Sequence, residues 1–400
     1  MGGIIMVPED EGKYIMNTYG RQVGKTPYLV RGSGTRVYDD EGKEYLDFVG
    51  GLAVNALGHC HPAVVQAAKN QLDKLIHTSN LYYTEPQVEL ARSLVDNTGA
   101  AKAFFCNSGA EANEAAIKIA RKYAKAKGNV ERYEIITATD SFHGRTMATL
   151  SATGQEKFHK GYEPLLPGFR YGVFNDLESF LAQAGENTCA VMIEPVQGEG
   201  GVHVATQDFI HGLRRLCDEQ GLLLIFDEVQ CGLGRTGNLL AADYFGVQAD
   251  IFTLAKALGG GLPIGAMLCT ENVASTFSPG DHASTFGGNP VVCAAALAVL
   301  NEILKKDFLS EVERRGNYLR EGLLALQGRF PGLVKDVRGL GLILGMELTG
   351  DGLAVQRNCA EAGLLINCIA GRILRFLPPL NVNQTDIDTA LAILEEGLEK

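Results

Sequence analysis

Several signals that would assign this chain to other kinds of protein are missing. None of the nine cysteines forms a CxxC pair or a metal-ligand spacing, a pattern typical of a reducing cytoplasm in which each thiol is a small buried hydrophobic residue. The longest apolar run, Val291–Leu300, is too short to cross a bilayer. The acidic start of the sequence lacks the basic and apolar regions of a signal peptide. We therefore expect a cytoplasmic protein without a membrane partner.

Metal ligands are also sparse in the sequence. His59, Cys60 and His61 crowd together before Pro62, which leaves a metal site as one alternative. A turn that leads into a helix with proline in its first turn explains the same residues more simply. We expect no metal in this protein.

Basic charge is scarce relative to acidic charge. The net charge of −11 makes nucleic acid an unfavourable main partner. The motif GxxxxGK[ST] is absent, as is a G-x-G-x-x-G that opens a strand–helix unit, which counts against a nucleotide-binding protein. With 400 residues, 46% of them hydrophobic and 21% charged, the chain is expected to be globular and to form two domains.

The middle of the chain alternates strand and helix patterns. Five apolar runs are typical of strands: Ala103–Cys106, Glu134–Ala138, Cys189–Ile193, Leu222–Phe226 and Ile251–Leu254. Helical patterns separate several of them, including Ala112–Ala126 and Asp208–Glu219. Because the runs are apolar on both faces, we predict an α/β fold with a mostly parallel central sheet covered by helices.

The two ends of the chain have a different pattern. Turns and short strands fill residues 1–61, with a hairpin signal at Asp40-Glu41-Gly42. Hairpin strands and a last helix, opened by the capping-box pattern Thr385-x-x-Asp388, fill residues 305–400. We predict that both ends together form a smaller α+β domain beside a large domain of residues 62–304.

Candidate site residues follow the predicted strands, because ligands of parallel sheets gather beyond the carboxyl ends. Lys256 follows Ile251–Leu254 and precedes the glycines 259–261, which predict a turn rather than a helix. A partly desolvated lysine at a strand end has the lowered pKa that Schiff-base chemistry needs, although most lysines are solvated surface groups. Asp227 follows Leu222–Phe226, where a carboxylate needs a metal or a protonated heterocyclic nitrogen nearby.

Two further loops carry candidates. Ser108-Gly109-Ala110 opens a helix whose free N–H groups favour an anion, and an ordinary helix start capped by Ser108 is the alternative. Phe142 lies in a polar loop and is suited to cover a planar ligand, and Arg145 offers a fork for a carboxylate. His143, between them, is either an acid or base or, more simply, a structural histidine. A lysine, an anion site, a carboxylate and an aromatic lid together predict a pyridoxal phosphate site.

Seven motifs carry a resemblance to a known family: NSGAEANEAA, SFHGRT, EPVQGEGG, FDEVQCGLGRTG, LAKALGGGLPIGAM, STFGGNP and LRFLPPL. From about Tyr14 to its end, the chain resembles the class III pyridoxal-phosphate-dependent aminotransferases of fold type I. The resemblance implies pyridoxal 5'-phosphate as the cofactor. It also implies a homodimer with shared active sites, since in this family the segment that matches Ser284-Thr285 reaches the phosphate from the neighbouring subunit.

On the cofactor side, the resemblance implies a role for each matching residue. Lys256 would form the Schiff base, and Asp227 would partner the pyridine nitrogen. The other contacts to the cofactor would come from Ser108, Gly109, Ala110, Phe142, Gln230 and Thr285.

On the substrate side, the resemblance implies two arginines and a switch. Arg375 resembles the arginine near the reacting amine, and Arg145 resembles the distal one. Glu199 resembles the carboxylate that pairs with Arg375 for an ω-amine donor and releases it for glutamate. A plain acidic loop residue is the alternative for Glu199, and Glu194 lies near the same crevice. Ser284 would contact substrate from the shared segment.

The sequence HTSNLYYTEP at His77–Pro86 favours one donor within the family. The resemblance implies transfer of the terminal amino group of N2-acetylornithine to 2-oxoglutarate, which gives N-acetylglutamate 5-semialdehyde and glutamate in arginine biosynthesis. Ornithine, succinylornithine, succinyldiaminopimelate and 4-aminobutyrate remain alternative donors. The alternative outside the enzyme class is a non-catalytic α/β protein that binds a nucleotide or sugar phosphate and leaves Lys256 idle.

Overall fold

A seven-stranded sheet forms the centre of the fold. The computed structural model describes residues 7–400. The strands of the sheet lie in the spatial order Lys102–Cys106, Gly265–Cys269, Ile251–Leu254, Leu223–Asp227, Thr188–Ile193, Glu134–Ala138 and Phe169–Gly172. Gly265–Cys269 runs antiparallel to both of its neighbours, and the other strands run parallel to one another. The mostly parallel α/β sheet predicted from the sequence is confirmed, and two of its strands, Gly265–Cys269 and Phe169–Gly172, were not predicted.

Helices cover both faces of this sheet, which explains why its central strands are apolar on both sides. Ile135, Met192 and Ile225 pack in one cluster with the helix Gly109–Ala126. Alternate residues of the same strands face the opposite side and pack with the helix Gln207–Gln220. Both faces of the central sheet are therefore buried, and the polar side chains of the site lie at the strand ends.

The remaining helices and strands complete the chain. The other α-helices span Val7–Tyr14, Gly50–Ala53, Pro62–Leu72, Glu85–Thr98, Met147–Ala152, Glu156–His159, Leu177–Gln183, Ala241–Phe245, Glu271–Ala274, Pro290–Ile303, Phe308–Arg329, Gly352–Glu361 and Gln384–Glu399. A two-stranded sheet pairs Val196–Gln197 with His203–Val204. No helix in residues 7–400 is long and apolar enough to cross a membrane.

Two smaller sheets lie at the chain ends. One joins Leu29–Ser33, Arg36–Asp39 and Glu44–Asp47, the last two forming the predicted hairpin, to Leu364–Leu365. Leu364 pairs with Leu46 in this sheet, so the amino-terminal and carboxyl-terminal segments share one sheet. The other sheet joins Val334–Leu340, Ile343–Leu348, Ile373–Phe376 and Asn367–Ile369. The domain limits at residues 61 and 304 remain predictions. Residues 1–6 lie outside the described residues. They belong to the predicted segment 1–61 and to the stretch that lacks signal-peptide features.

Two local predictions at helix starts have opposite outcomes. The helix after the His-Cys-His cluster begins at Pro62, as expected for a turn that leads into a helix. The predicted capping box of the last helix is wrong. Asn383 caps that helix by accepting the N–H of Asp386 at 2.8 Å, so Thr385 lies inside it. Asp388 instead accepts the hydroxyl of Tyr318 at 2.6 Å.

Candidate active site

A cavity of about 460 Å³ opens beyond the carboxyl ends of the central strands. Nine residues expected to bind the cofactor or substrate line it, together with His143 and Glu194: Ser108, Gly109, Ala110, Phe142, Arg145, Glu199, Asp227, Gln230 and Lys256. Arg375 joins this set through hydrogen bonds to Glu199 and Gln230. Ser284 and Thr285 are not among the lining residues of this chain. The structure thus gathers most of the candidates around one crevice at the sheet edge where ligands of such folds bind.

Lys256 stands just past the end of the strand Ile251–Leu254. The glycine-rich stretch after the strand contains a single 3₁₀ turn, Lys256–Gly259, where the sequence predicted a turn without any helix. The backbone of Lys256 has φ of +31°, a conformation that strains a non-glycine residue and is often retained at functional sites. Burial lowers the pKa of Lys256, against the opposing effect of the Glu199 carboxylate. The neutral, nucleophilic form of the amine is therefore more accessible than in a surface lysine.

Asp227 ends the neighbouring strand and is held by three donors. Asn113 donates to its Oδ2 at 2.7 Å, and Nδ1 of His143 lies 2.8 Å from the same oxygen. The N–H of Val229 donates to Oδ1 at 3.0 Å. All of these groups except Val229 are nearly inaccessible to solvent, with Asp227 only 3% exposed. Such a network fixes the position of the carboxylate at the wall of the cavity.

His143 belongs to this carboxylate network. Its main-chain N–H donates to the hydroxyl of Thr153 at 2.9 Å, and its carbonyl accepts from Asn113 at 2.7 Å. Its Nε2 is buried and has no hydrogen-bond partner among the described residues. The contacts on Nδ1 and the backbone are those of a histidine that orients a carboxylate, which agrees with the structural interpretation of His143.

The helix Gly109–Ala126 begins at the cavity wall. The hydroxyl of Ser108 accepts the N–H of Glu111 at 3.2 Å, so Ser108 caps the helix, as the simpler sequence interpretation held. The N–H groups of Gly109 and Ala110 lie in the first turn, where no intrahelical acceptor exists. Glycine is required at 109 because a Cβ there would come within 2.7 Å of Val229 Cγ1. This helix start can bind an anion with backbone donors while Ser108 maintains its cap.

Phe142 and Arg145 lie together at the mouth of the cavity. Phe142 is half-buried and packs edge-to-face with Phe158 at a centroid distance of 5.9 Å. The guanidinium of Arg145 is exposed and lies 4.0 Å from the centroid of the Phe158 ring. No acidic side chain in residues 7–400 forms an ion pair with Arg145. A cation held over a ring with its donors free is available to an incoming carboxylate.

Arg375 lies deeper and is paired. Its Nη1 donates to Oε1 of Glu199 at 2.7 Å and to Oε1 of Gln230 at 3.1 Å. Its Nη2 donates to Asn367 at 3.1 Å. Burial alone would raise the pKa of Glu199, but Arg375, with smaller effects of Lys256 and Gln230, holds that pKa below its usual range. The pair therefore consists of two charged groups, one fully buried and one partly accessible from the cavity.

The Ser284-Thr285 segment lies away from this crevice. Thr285 is exposed and borders a second depression with His77 and Asn80. Ser284 accepts the side-chain amide of Asn107 at 3.2 Å and the N–H of Gly287 at 2.9 Å. Within this chain neither residue reaches the cavity, and their predicted contribution to a neighbouring subunit's site remains a prediction.

Three residues at the site carried no assigned role in the sequence analysis. Asn113 lies one helical turn inside a helix, and its link to Asp227 spans 114 positions, so no local pattern indicates it. Val229 contacts the helix start that faces the cavity. Glu194 is 5% exposed and accepts backbone N–H groups from two loops. Only Glu194 had a signal in the sequence, its position directly after an apolar strand.

No group of three or more potential metal ligands occurs in the described residues.

The fold and this crevice are those of a pyridoxal-phosphate-dependent enzyme of fold type I. Residues 18–398 match the family described as aminotransferase class-III, and the chain belongs to that family. It is 54% identical over 391 residues to the acetylornithine aminotransferase of Caldanaerobacter subterraneus subsp. tengcongensis, with 98% of each chain covered. It is therefore an aminotransferase.

Solved structures agree with this assignment. The ornithine aminotransferase of Toxoplasma gondii, described with PLP at its active site, superposes with a TM-score of 0.93 at 32% identity, covering 98% of this chain and 93% of that chain. The N-acetylornithine aminotransferase of Stenotrophomonas maltophilia superposes with a TM-score of 0.82 at 39% identity, covering 94% of this chain and 96% of that chain.

The residues of the crevice fit pyridoxal phosphate, the cofactor of this family. Lys256 supplies an amine of lowered pKa for covalent attachment. The first-turn N–H groups of Gly109 and Ala110 suit a phosphate, and the buried Asp227 suits a protonated ring nitrogen. The donor set thus matches the charges of the cofactor at each end of the cavity.

Proposed function

We propose that the protein transfers the terminal amino group of N2-acetylornithine to 2-oxoglutarate, giving N-acetylglutamate 5-semialdehyde and glutamate in arginine biosynthesis. The observation that carries the proposal is the Arg375–Glu199 pair, with its 2.7 Å hydrogen bond beside Lys256. The identity to a relative named for this donor supports the choice of substrate.

The cofactor, when bound, supplies an electron sink for the carbanion formed at the substrate carbon. Lys256 would hold it covalently, Asp227 would keep its ring nitrogen protonated, and Gly109 and Ala110 would bind its phosphate. Phe142 would cover the ring, and Gln230 would lie near the phenolic oxygen. Asn113 and His143 act indirectly, by orienting the Asp227 carboxylate.

Lys256 is the proposed acid and base of the reaction. Once the substrate amine is bound, Nζ of Lys256 would accept the proton from the carbon that bears the amine, because the lowered pKa favours the neutral form of the lysine. The same Nζ would pass that proton on to the cofactor. In the second half of the reaction, when 2-oxoglutarate takes up the amino group, Nζ would move a proton in the opposite direction, to the substrate carbon. A positioned acid–base group of this kind contributes roughly 10²- to 10⁴-fold to rate.

The two donors differ in what they place beside the reacting amine. The terminal amine of N2-acetylornithine has only methylenes beside it, so an open Arg375 would be a buried unpaired cation. Glu199 removes that penalty by pairing with Arg375. Glutamate carries its own carboxylate there and would take the place of Glu199. Arg145, whose guanidinium has no acidic partner in residues 7–400, would bind the distal carboxylate of either substrate.

The proposal includes a cytoplasmic homodimer. Thr285 and Ser284 do not line the cavity of their own chain. Large apolar side chains are exposed around them, including Tyr82, Tyr83 and Phe286, and would be covered by a second subunit. All nine cysteines are free thiols, which suits a reducing compartment. Sedimentation equilibrium gives the test: a mass of one chain would contradict the dimer.

Ornithine is the second candidate donor. The structural likeness to an ornithine aminotransferase favours it, because that protein has the same fold over 98% of this chain. A steady-state assay separates the two candidates by measuring glutamate formed from 2-oxoglutarate with each amine. We expect a higher kcat/KM with N2-acetylornithine than with ornithine, and the reverse order would move the enzyme to the sibling activity.

A further inference from the structure

Glu194 is a buried carboxyl group at the cavity wall that the mechanism above does not use. It follows the strand Thr188–Ile193, whose Ile193 pairs with Phe226 directly before Asp227. Its side chain is 5% exposed and lines the cavity. A carboxyl in such a position is costly to bury, so its contacts indicate what it does there.

Both carboxyl oxygens of Glu194 accept backbone N–H groups, each from a different loop. Oε2 accepts from Phe142 at 2.9 Å, in the loop that also carries Arg145. Oε1 accepts from Gly198 at 3.3 Å, the residue before Glu199. One side chain therefore joins the loop of the distal arginine to the loop of the switch carboxylate.

We propose that Glu194 is a positioning residue for donor choice: its ionised carboxylate holds the Gly198 loop against the Phe142 loop, so that Glu199 covers Arg375. The inference rests on the proposed switch of Glu199 between two donors. Loss of the link would leave Arg375 less well covered. The donor that needs the pair closed, N2-acetylornithine, would then suffer more than glutamate, which needs it open.

Ionisation matters because a carboxylate accepts hydrogen bonds on its two oxygens more strongly than a neutral carboxyl does. A protonated carboxyl carries an O–H donor and is a weaker acceptor for the two N–H groups. Burial raises the pKa of Glu194 to about 7, and the charged and titratable groups that face it are His143, Asp227, Lys256 and Cys231. The link is therefore made above neutral pH and weakened below it.

The direct test is Glu194→Gln, which keeps the size of the side chain and removes one acceptor. The amide oxygen is expected to keep the shorter bond to Phe142, so that the amide nitrogen faces the N–H of Gly198. For the two half-reactions of the holoenzyme, we define the donor ratio as kcat/KM with N2-acetylornithine divided by kcat/KM with glutamate. This donor ratio should fall about fivefold, or ~1 kcal/mol at 1.36 kcal/mol per tenfold.

Glu228→Gln is the matched control. Glu228 is 1% exposed at the same sheet edge and also accepts two backbone N–H groups, from Ala241 at 2.6 Å and Ala242 at 2.8 Å. It does not line the cavity and touches neither substrate loop. Its variant loses the same kind of hydrogen bond, so it should leave the donor ratio unchanged.

Two readouts do not depend on turnover of the variant. Binding of glutarate, an unreactive dicarboxylate, should be about fivefold tighter in Glu194→Gln than in the wild type by calorimetry, because Arg375 is less covered. In the wild type alone, the donor ratio should fall about fivefold from pH 8 to pH 6 as Glu194 is protonated. The second readout stands even if the variant does not fold.

The outcomes separate this inference from the proposed function. If the wild type converts N2-acetylornithine but Glu194→Gln slows both donors equally and binds glutarate as the wild type does, Glu194 has only a structural role. A donor ratio that does not change with pH in the wild type would lead to the same conclusion. If the wild type does not react with N2-acetylornithine, the proposed function fails, and the glutarate comparison still decides the role of Glu194.

Discussion

Arg375 and Glu199 form a hydrogen-bonded ion pair with an Nη1–Oε1 distance of 2.7 Å, across 176 positions of the chain. The arginine is 1% exposed, and the glutamate side chain is 29% exposed. The buried guanidinium of Arg375 can thus be exposed only from the cavity, when the more accessible Glu199 moves. A pair built in this way can distinguish a substrate that carries a carboxylate from one that does not.

The first prediction follows from this pair. Glu199→Gln should lower kcat/KM for the N2-acetylornithine half-reaction about tenfold or more, or ~1.4 kcal/mol, because the buried guanidinium loses its counterion. The glutamate half-reaction should change little, since glutamate brings its own carboxylate. Stopped-flow absorbance of each half-reaction measures both. Equal losses for the two donors would argue against a switch, and Glu156→Gln, at the exposed start of the helix Glu156–His159, serves as the control.

The second prediction concerns Lys256. Lys256→Ala should lower turnover by roughly 10³-fold or more while the fold is retained, because its Nζ is the proposed acid and base. Borohydride should fix the cofactor covalently in the wild type and not in the variant. Lys102→Ala, an exposed lysine on the edge strand of the sheet, should keep wild-type turnover. Full activity of Lys256→Ala would contradict the mechanism.

A third prediction tests the carboxylate that ends the neighbouring strand. Asp227→Asn keeps one acceptor oxygen but cannot support a protonated ring nitrogen, so kcat should fall roughly 10²- to 10³-fold. Asp250→Asn is the comparison, because Asp250 also accepts a backbone N–H, that of Leu224 at 2.8 Å, before the strand Ile251–Leu254 begins. That variant should lose stability without a matching loss of kcat. Similar kcat losses in both variants would show that Asp227 affects kcat only by stabilising the folded structure.

The sequence was most informative at strand ends. Lys256 and Asp227 could both be placed at the ligand-binding edge because each follows an apolar run of a parallel sheet. The two strands are indeed neighbours, and Asp227 pairs in register with Thr253. The strand Gly265–Cys269 was missed because its residues follow Pro263 and three glycines, and only its pairing with Ile251–Leu254 defines it.

Contacts between distant loops could not be predicted. The bonds of Glu194 to Phe142 and Gly198 depend on how three strand ends meet, and no spacing in the sequence encodes that geometry. The capping box at Thr385 failed for a local reason. Asn383, two residues earlier, is an equally good cap and accepts the N–H of Asp386.

The fourth prediction is a pH dependence of stability. Burial raises the pKa of Glu228 to about 8, whereas an unfolded glutamate titrates near ~4.3. Between these values the folded protein holds a proton that the unfolded chain releases, so the free energy of unfolding should fall as pH rises from 5 to 8. Glu228→Gln should remove about 1 kcal/mol per pH unit of this slope, measured by urea unfolding of the holoenzyme. Parallel slopes in wild type and variant would contradict the raised pKa.

The most direct test of the central claim is a half-reaction without keto acid. The purified holoenzyme is mixed separately with N2-acetylornithine, ornithine, 4-aminobutyrate and glutamate, and the absorbance change from the aldehyde to the amine form of the cofactor is followed. We expect fast conversion by N2-acetylornithine and by glutamate, with slower conversion by ornithine and 4-aminobutyrate. Fast conversion by ornithine or 4-aminobutyrate, with none by N2-acetylornithine, would contradict it.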